Sequence, residues 1–332
     1  MESSKKQISV NFLINILSFA VSVLIGIWLT PYLLSKLGNL AYGLIPLTYV
    51  VNKYINVATL ALTNSFTRFY VIALNQDRIN EAKRYFNTSF FLVSWFSLIL
   101  IILIVTYADN LGSFISIPAG MGEEAIKLFK YTLISLIISI FNSILNASLY
   151  AKNKLNIINS FKILRVITRC LTIVISFTFI EINIYIVGIA NLVSEISVLI
   201  LSIFYFKRIT PEVNISFKYF DKNKLSAVAA LAIWAIIHQT GDILIGYIDV
   251  LLINKYKSIV LAGQIGAISE WSTYITSAIG LISSLFGPLI LIAYAQQKRE
   301  KIIELCGYSI KILTTILAIM IGTMSGFSKP LL

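Results

Sequence analysis

Three cations stand at i, i+3 and i+7 within an otherwise apolar stretch: Lys162, Arg165 and Arg169. On a helix, at about 100° per residue, they share one face. A guanidinium offers two parallel donors to phosphate or carboxylate oxygens, so this face suits a pyrophosphate or another anionic head group. Arg68 is a further cation in an apolar stretch with no acid beside it. Later in the chain the sign reverses. His238, Asp242 and Asp249 recur at i, i+4 and i+11, and Glu270 lies in the next apolar stretch. Carboxylates enclosed at low dielectric take up or release protons near neutral pH, or bind Na⁺ with neighbouring carbonyls. The competing reading has these acids hydrogen-bonded to adjacent helices or paired with cations of the first half. His238 by itself reads as a satisfied polar residue.

Polar stripes accompany the charges. Asn11, Asn15, Ser18, Ser22 and Gly26 share one face, as do Asn52, Asn56, Thr59, Thr63 and Thr67, and Ser135, Ser139, Asn142 and Asn146. Small and polar residues let membrane helices approach and hydrogen-bond, which accounts for any one stripe. Three stripes in one half point to a water-filled cavity lined by Asn11, Asn15, Asn52, Asn56, Asn142 and Asn146. Catalytic arrangements are absent: no glycine-rich loop precedes a Lys-Ser/Thr pair, and no Ser-His-Asp set can be assembled. Cys170 and Cys306 lie singly in apolar runs, without disulfide or metal-ligand spacing. The sequence reads as neither an enzyme nor a metalloprotein, and it implies no cofactor beyond a coupling ion, Na⁺ or H⁺.

The elements that position these residues follow from composition. Of 332 residues, 58% are apolar and 13% charged, and mean hydropathy is +0.85. Soluble domains are usually about a quarter charged, so the chain is read as an all-α polytopic membrane protein. Spanning a bilayer takes about 20 mostly apolar residues. Nine stretches qualify, near 8–34, 42–74, 86–107, 126–150, 157–180, 183–206, 225–253, 258–293 and 305–327. Pro288 predicts a kink in the eighth. The first is too long for a signal peptide and is read as retained.

The net charge of +12 then sets orientation. With the N-terminus in the cytoplasm, inner segments hold fifteen Lys and Arg, among them Arg78, Arg84, Lys152, Lys207, Lys218 and Lys224. Outer segments hold six. This asymmetry is the positive-inside pattern, and it removes the nucleic-acid reading of the excess charge. Six cations remain within spans. For Arg169, counting from a turn near Ile182 puts Glu195 at equal depth on the next helix, so a buried Arg169–Glu195 ion pair stands as one reading beside the anion site.

Shifting the chain by 220 residues superposes Gly43 on Gly263, Tyr54 on Tyr274, Phe66 on Phe286 and Gln76 on Gln296. The shared register reads as a parallel internal repeat, an arrangement common in transporters, with the substrate path between halves. It predicts a six-helix lobe at 1–212 and a partial second lobe at 213–332 with three helices. By the repeat the second lobe should hold six, so the chain is read as a truncated product.

Asn11-Phe12-Leu13, Leu29-Thr30-Pro31-Tyr32, Leu37-Gly38 and Tyr42-Gly43 resemble the opening of bacterial polysaccharide flippases, the Wzx-type O-antigen translocases. These form part of the multidrug/oligosaccharidyl-lipid/polysaccharide exporter superfamily. Thr67-Arg68-Phe69, Gly241-Asp242-Ile243, Ile248-Asp249-Val250, Ala262-Gly263 and Pro288 continue the resemblance across the chain. It implies two six-helix lobes around a cavity of alternating access in the bacterial inner membrane. The implied substrate is an undecaprenyl-pyrophosphate-linked oligosaccharide for O-antigen or capsule, with glycan polymerase and glycosyltransferases as partners. Arg68, Lys162, Arg165 and Arg169 would then meet the anionic head group, and Asp242, Asp249 and Glu270 would couple to the ion. The alternatives are a cation-coupled multidrug antiporter of the same superfamily and a non-transporting remnant.

Overall fold

Long runs of Leu, Ile, Phe and Val without internal turn signals favour helices that satisfy every peptide group within themselves. A computed structural model of the chain describes residues 2–107, 115, 117–152, 154–269, 272, 275–276, 279–280 and 299–326. Its ordered elements are all helical: α1 Glu2–Tyr42, α2 Leu44–Asn75, α3 Ile79–Tyr107, α4 Gly122–Ala151, α5 Leu155–Phe179, α6 Tyr185–Ile209, α7 Lys222–Tyr256 and α9 Arg299–Gly326. The short α8, Ile259–Ser269, lies between the last two. Gly38, at φ 77°, breaks α1 near its end, a conformation that costs glycine nothing. Most of the eighth predicted span, with Pro288, falls outside the described residues.

Five described helices are long and apolar enough to cross a membrane: those at 13–42, 79–106, 122–151, 185–209 and 299–323. The chain is a multi-pass membrane protein. Helices α2, α5 and α7 have 32, 25 and 35 residues, also long enough to span a bilayer.

By packing, the chain divides into Met1–Gly263 and Gln264–Leu332. The lobe boundary after residue 212 remains an expectation of the repeat. Within the first unit α4 packs on α6, α2 on α4 and α7, and α1 on α5. Directions agree with serial membrane crossing. Asn156 N–H bonds Asn11 Oδ1 at one end of the α1/α5 pair, and Tyr32 stacks on Phe177 at the other. Those two helices therefore run parallel. An aromatic core of Phe66, Tyr70, Phe86 and Phe206, joined by Val228 of α7, ties α2, α3, α6 and α7 together. Phe86 and Phe206 stack at 4.8 Å. Loops 76–78, 152–154 and 210–221 carry Arg78, Lys152, Lys154 and Lys218 and mark the basic end of this unit. In the second unit, α9 has no buried residue among those described.

The α6–α7 connection is strapped to α3 at the basic end. Asn87, fully buried, donates to the Asn214 carbonyl at 3.0 Å and accepts from the Ser216 N–H at 2.6 Å. Thr88 Oγ1 accepts from the Asp221 N–H at 2.9 Å. Asp221 then caps α7 by accepting from the Asn223 N–H, and that bond, with Arg84 beside it, holds its carboxyl below the usual range. Two ion pairs, Arg84–Asp221 at 3.2 Å and Lys224–Glu81 at 2.6 Å, complete the strap.

Candidate functional site

Apart from Lys162 and the terminal Phe179, the exposed residues of α5, Ser160, Ile167, Leu171, Ile175 and Thr178, form one mostly apolar stripe. By helical periodicity Lys162, Arg165 and Arg169 lie on the roughly opposite side. The cations therefore face away from the surface that α5 offers to lipid. A charge in that position needs a partner or water, and the three residues meet this requirement differently.

Arg165 takes Glu195 of α6. Its Nη2 donates to Oε2 at 3.2 Å, and its Nε lies 2.5 Å from Oε1 as an ion contact outside hydrogen-bonding geometry. Asn142 of α4 donates its Nδ2 to the same Oε2 at 2.9 Å and to the Glu195 carbonyl at 3.2 Å. Glu195 is buried, so the pair spans three helices. Arg169 instead lies over the Tyr49 ring of α2, 5.3 Å from its centroid, and donates to the Tyr49 hydroxyl. Lys162 is exposed and has no partner among the described residues.

The expected Arg169–Glu195 pair is thus replaced by Arg165–Glu195, one turn earlier on α5. Depth counting brings the right helices together, but rotation decides the match: Arg169 is turned toward α2, where an aromatic face and a hydroxyl receive it. Tyr49 is a site residue that the charge pattern does not reveal. A signal exists nonetheless, because Tyr49, Asn52 and Asn56 are spaced i, i+3 and i+7 on the α2 stripe.

The polar residues divide similarly. Asn142 belongs to the ion-pair network, and Asn146 Oδ1 accepts from the Ser202 hydroxyl at 3.1 Å. Asn11 joins α1 to α5. These three act between helices, as the packing reading of the stripes requires. The Asn52 Oδ1 is buried with no partner among the described residues, and Asn15 is half-buried. The side chain of Asn56 lies outside those described. Arg68 is exposed, with exposed Asn64 and Ile72 one turn on either side. No described contact joins it to the α5 cations. Of the acidic set, Asp249 is exposed without a described partner; the side chains of His238, Asp242 and Glu270 lie outside those described. Among the described residues no cluster of His, Cys, Asp and Glu could hold a metal.

What these helices define is the fold of the MATE transporters of the MOP superfamily. The chain superposes on the MATE multidrug transporter DinF-BH with a TM-score of 0.76, covering 96% of this chain and 72% of that one at 15% identity. It superposes on the inward-facing conformation of a multidrug resistance MATE family transporter with a TM-score of 0.75, covering 97% and 74% at 16% identity. In sequence it is similar to EpsK of Bacillus subtilis strain 168, an uncharacterized membrane protein, at 22% identity over 324 residues. That match covers 98% of this chain and 64% of EpsK, so the chain spans less than two thirds of the length of this relative. No family model matches.

Proposed function

We propose that the chain carries out, or forms the larger part of, the translocation of undecaprenyl-pyrophosphate-linked oligosaccharides across the bacterial inner membrane for O-antigen or capsule synthesis. One observation carries this reading: a cationic face on α5 turned away from the apolar stripe, with Lys162 uncommitted and the Arg165 guanidinium partly accessible. Such a face recognises a phosphate-bearing head group and repels organic cations. The MATE-like fold supports this reading; on it, two repeats would alternate access between membrane sides, with the basic end in the cytoplasm as the positive-inside pattern expects. Arg68, exposed on α2, would meet the same substrate at another stage of its path. Asp242, Asp249 and Glu270 would couple an ion.

The test is complementation of a flippase-null strain by this chain and by the same chain extended with the C-terminal third of a full-length relative. Surface glycan should return with the extended chain. Lys162→Gln and Arg68→Gln should each lower it severalfold at unchanged protein level; full glycan in both removes the anion site. A multidrug antiporter is the second reading, favoured by the multidrug transporters that share the fold and by the exposed Asp249. Resistance to cationic dyes without glycan export would select it.

A further inference from the structure

The Arg165–Glu195 pair is unequally accessible. The Arg165 side chain is 34% exposed and that of Glu195 only 11%. A ligand reaching the cationic face therefore meets the guanidinium and not the carboxylate. The Arg165 guanidinium already holds an oxyanion, Glu195, through one Nη2 hydrogen bond and a close Nε–Oε1 ion contact, and its Nε has no hydrogen bond among the described residues. An arriving phosphate competes with Glu195 for the guanidinium. Once displaced, Glu195 keeps one side-chain donor, Asn142, and a carboxylate left in the interior without a cation is costly as an ion.

We infer that Glu195 is a resident stand-in for the substrate anion: it occupies Arg165 in the empty protein, yields it to a phosphate-bearing ligand, and takes up one proton as it does so. This rests on the anion-carrying reading above and deepens it. The empty state holds Arg165⁺ and Glu195⁻, a neutral pair. In the loaded state Arg165⁺ holds the phosphate, and one solvent proton forms an O–H bond on the Glu195 carboxyl. Unloading reverses both steps, and nothing is oxidised or reduced. The empty protein can change conformation without a bare cation, and the loaded one crosses with one negative charge fewer.

The surroundings permit this exchange. Helices α4 and α5 pack on α6. From α5 come Arg165 itself, Lys162 a turn below and Arg169 a turn above, the last engaged by Tyr49 of α2. From α4 comes uncharged Asn142. The nearest ionisable residues on α4, Tyr150 and Tyr131, are eight and eleven residues from it, about 12 and 16 Å along the helix at about 1.5 Å per residue. No second acid on α4 or α5 lies close enough to take the proton instead.

The experiment uses the purified full chain in phosphatidylcholine nanodiscs, with a polyprenyl pyrophosphate in the bilayer as one arm and inorganic pyrophosphate in solution as the other. Binding and proton uptake are measured from pH 6 to 8 on wild type and Glu195→Gln, an uncharged analogue that keeps an acceptor for Asn142. Wild type should take up about one proton more per bound ligand than E195Q, in whichever arm binds. Its affinity should gain, relative to E195Q, up to about tenfold for each unit fall in pH. E195Q should bind more tightly than wild type at pH 8. Binding in the lipid arm alone assigns the site to a lipid head group; binding in both assigns it to the phosphate itself. In wild type, ligand should also raise the infrared carbonyl band of a protonated carboxylic acid, a readout that needs no variant. Equal proton uptake by both proteins, or no such band, overturns the exchange and leaves the anion reading standing. Failure of wild type and E195Q to bind in either arm overturns both.

Discussion

At the scale of the residue, the first-unit cations differ in what their removal costs. Arg165→Ala leaves Glu195 buried beside one amide, and breaking a buried pair from one side typically costs about 3–5 kcal/mol. Arg165 keeps 34% of its side chain exposed, so the loss should fall at or below the lower end of that range, seen as a lower melting temperature in detergent. Arg165→Met combined with Glu195→Gln removes both charges and should recover most of it. If the double variant is no more stable than Arg165→Ala, the pair is not what the single change disrupts. Lys162→Gln should be nearly neutral for stability, because no described partner is lost, yet weaken anion binding. The pair separates residues that hold the unit together from those left for a ligand, a division that charge spacing alone could not make.

Among elements, two close approaches make sharper predictions than the apolar packing around them. A Cβ on Gly43 would lie 2.7 Å from the Ile259 carbonyl, and one on Gly263 would lie 2.9 Å from the Gly43 Cα. Both neighbours are backbone and cannot rotate aside. Gly43→Ala and Gly263→Ala should each cost about 1–3 kcal/mol, the usual penalty of overpacking, read as a fall in melting temperature. At the basic end, Asn87→Ala removes two hydrogen bonds to the strap, which end on the exposed Asn214 and half-buried Ser216, at about 0.5–1.5 kcal/mol each. Limited proteolysis within residues 210–221 should accelerate; unchanged cleavage would show that the ion pairs alone hold the strap. The Asp221 carboxyl, held below its ordinary range, stabilises the folded state above its unfolded value. That contribution disappears as pH falls through the depressed one, so the strap should loosen only in acid, by the same protease assay. Helices and their order were legible because apolar length is a coarse, local signal. The strap was not, since Asn87 and Thr88 are unremarkable in sequence and acquire their role from a segment more than 120 residues away. The Arg165–Glu195 pairing depended on the rotation of α5, which residue counting cannot supply.

For the whole molecule, the internal repeat and the packing meet at one point. Gly43 and Gly263, superposed by the 220-residue shift, are also in contact. Gly43 stands at the start of α2 and loop 76–78 at its far end, so the contact lies at one end of that helix. The basic loops 76–78 and 210–221, with Lys152 and Lys154, share the opposite end of the helices. In the proposed orientation, with that end in the cytoplasm, the Gly43–Gly263 contact belongs to the outer face, as does the α5–α6 turn with exposed Glu181. Single cysteines decide the matter, introduced at Asp77, Lys218 and Glu181 after Cys170 and Cys306 are replaced by Ala. In intact cells a membrane-impermeant thiol reagent should label Glu181→Cys alone. Asp77→Cys and Lys218→Cys should react only once the membrane is opened. The reverse pattern would invert the protein, place the loop charges outside and put the proposed anion face of α5 on the wrong side for the proposed substrate.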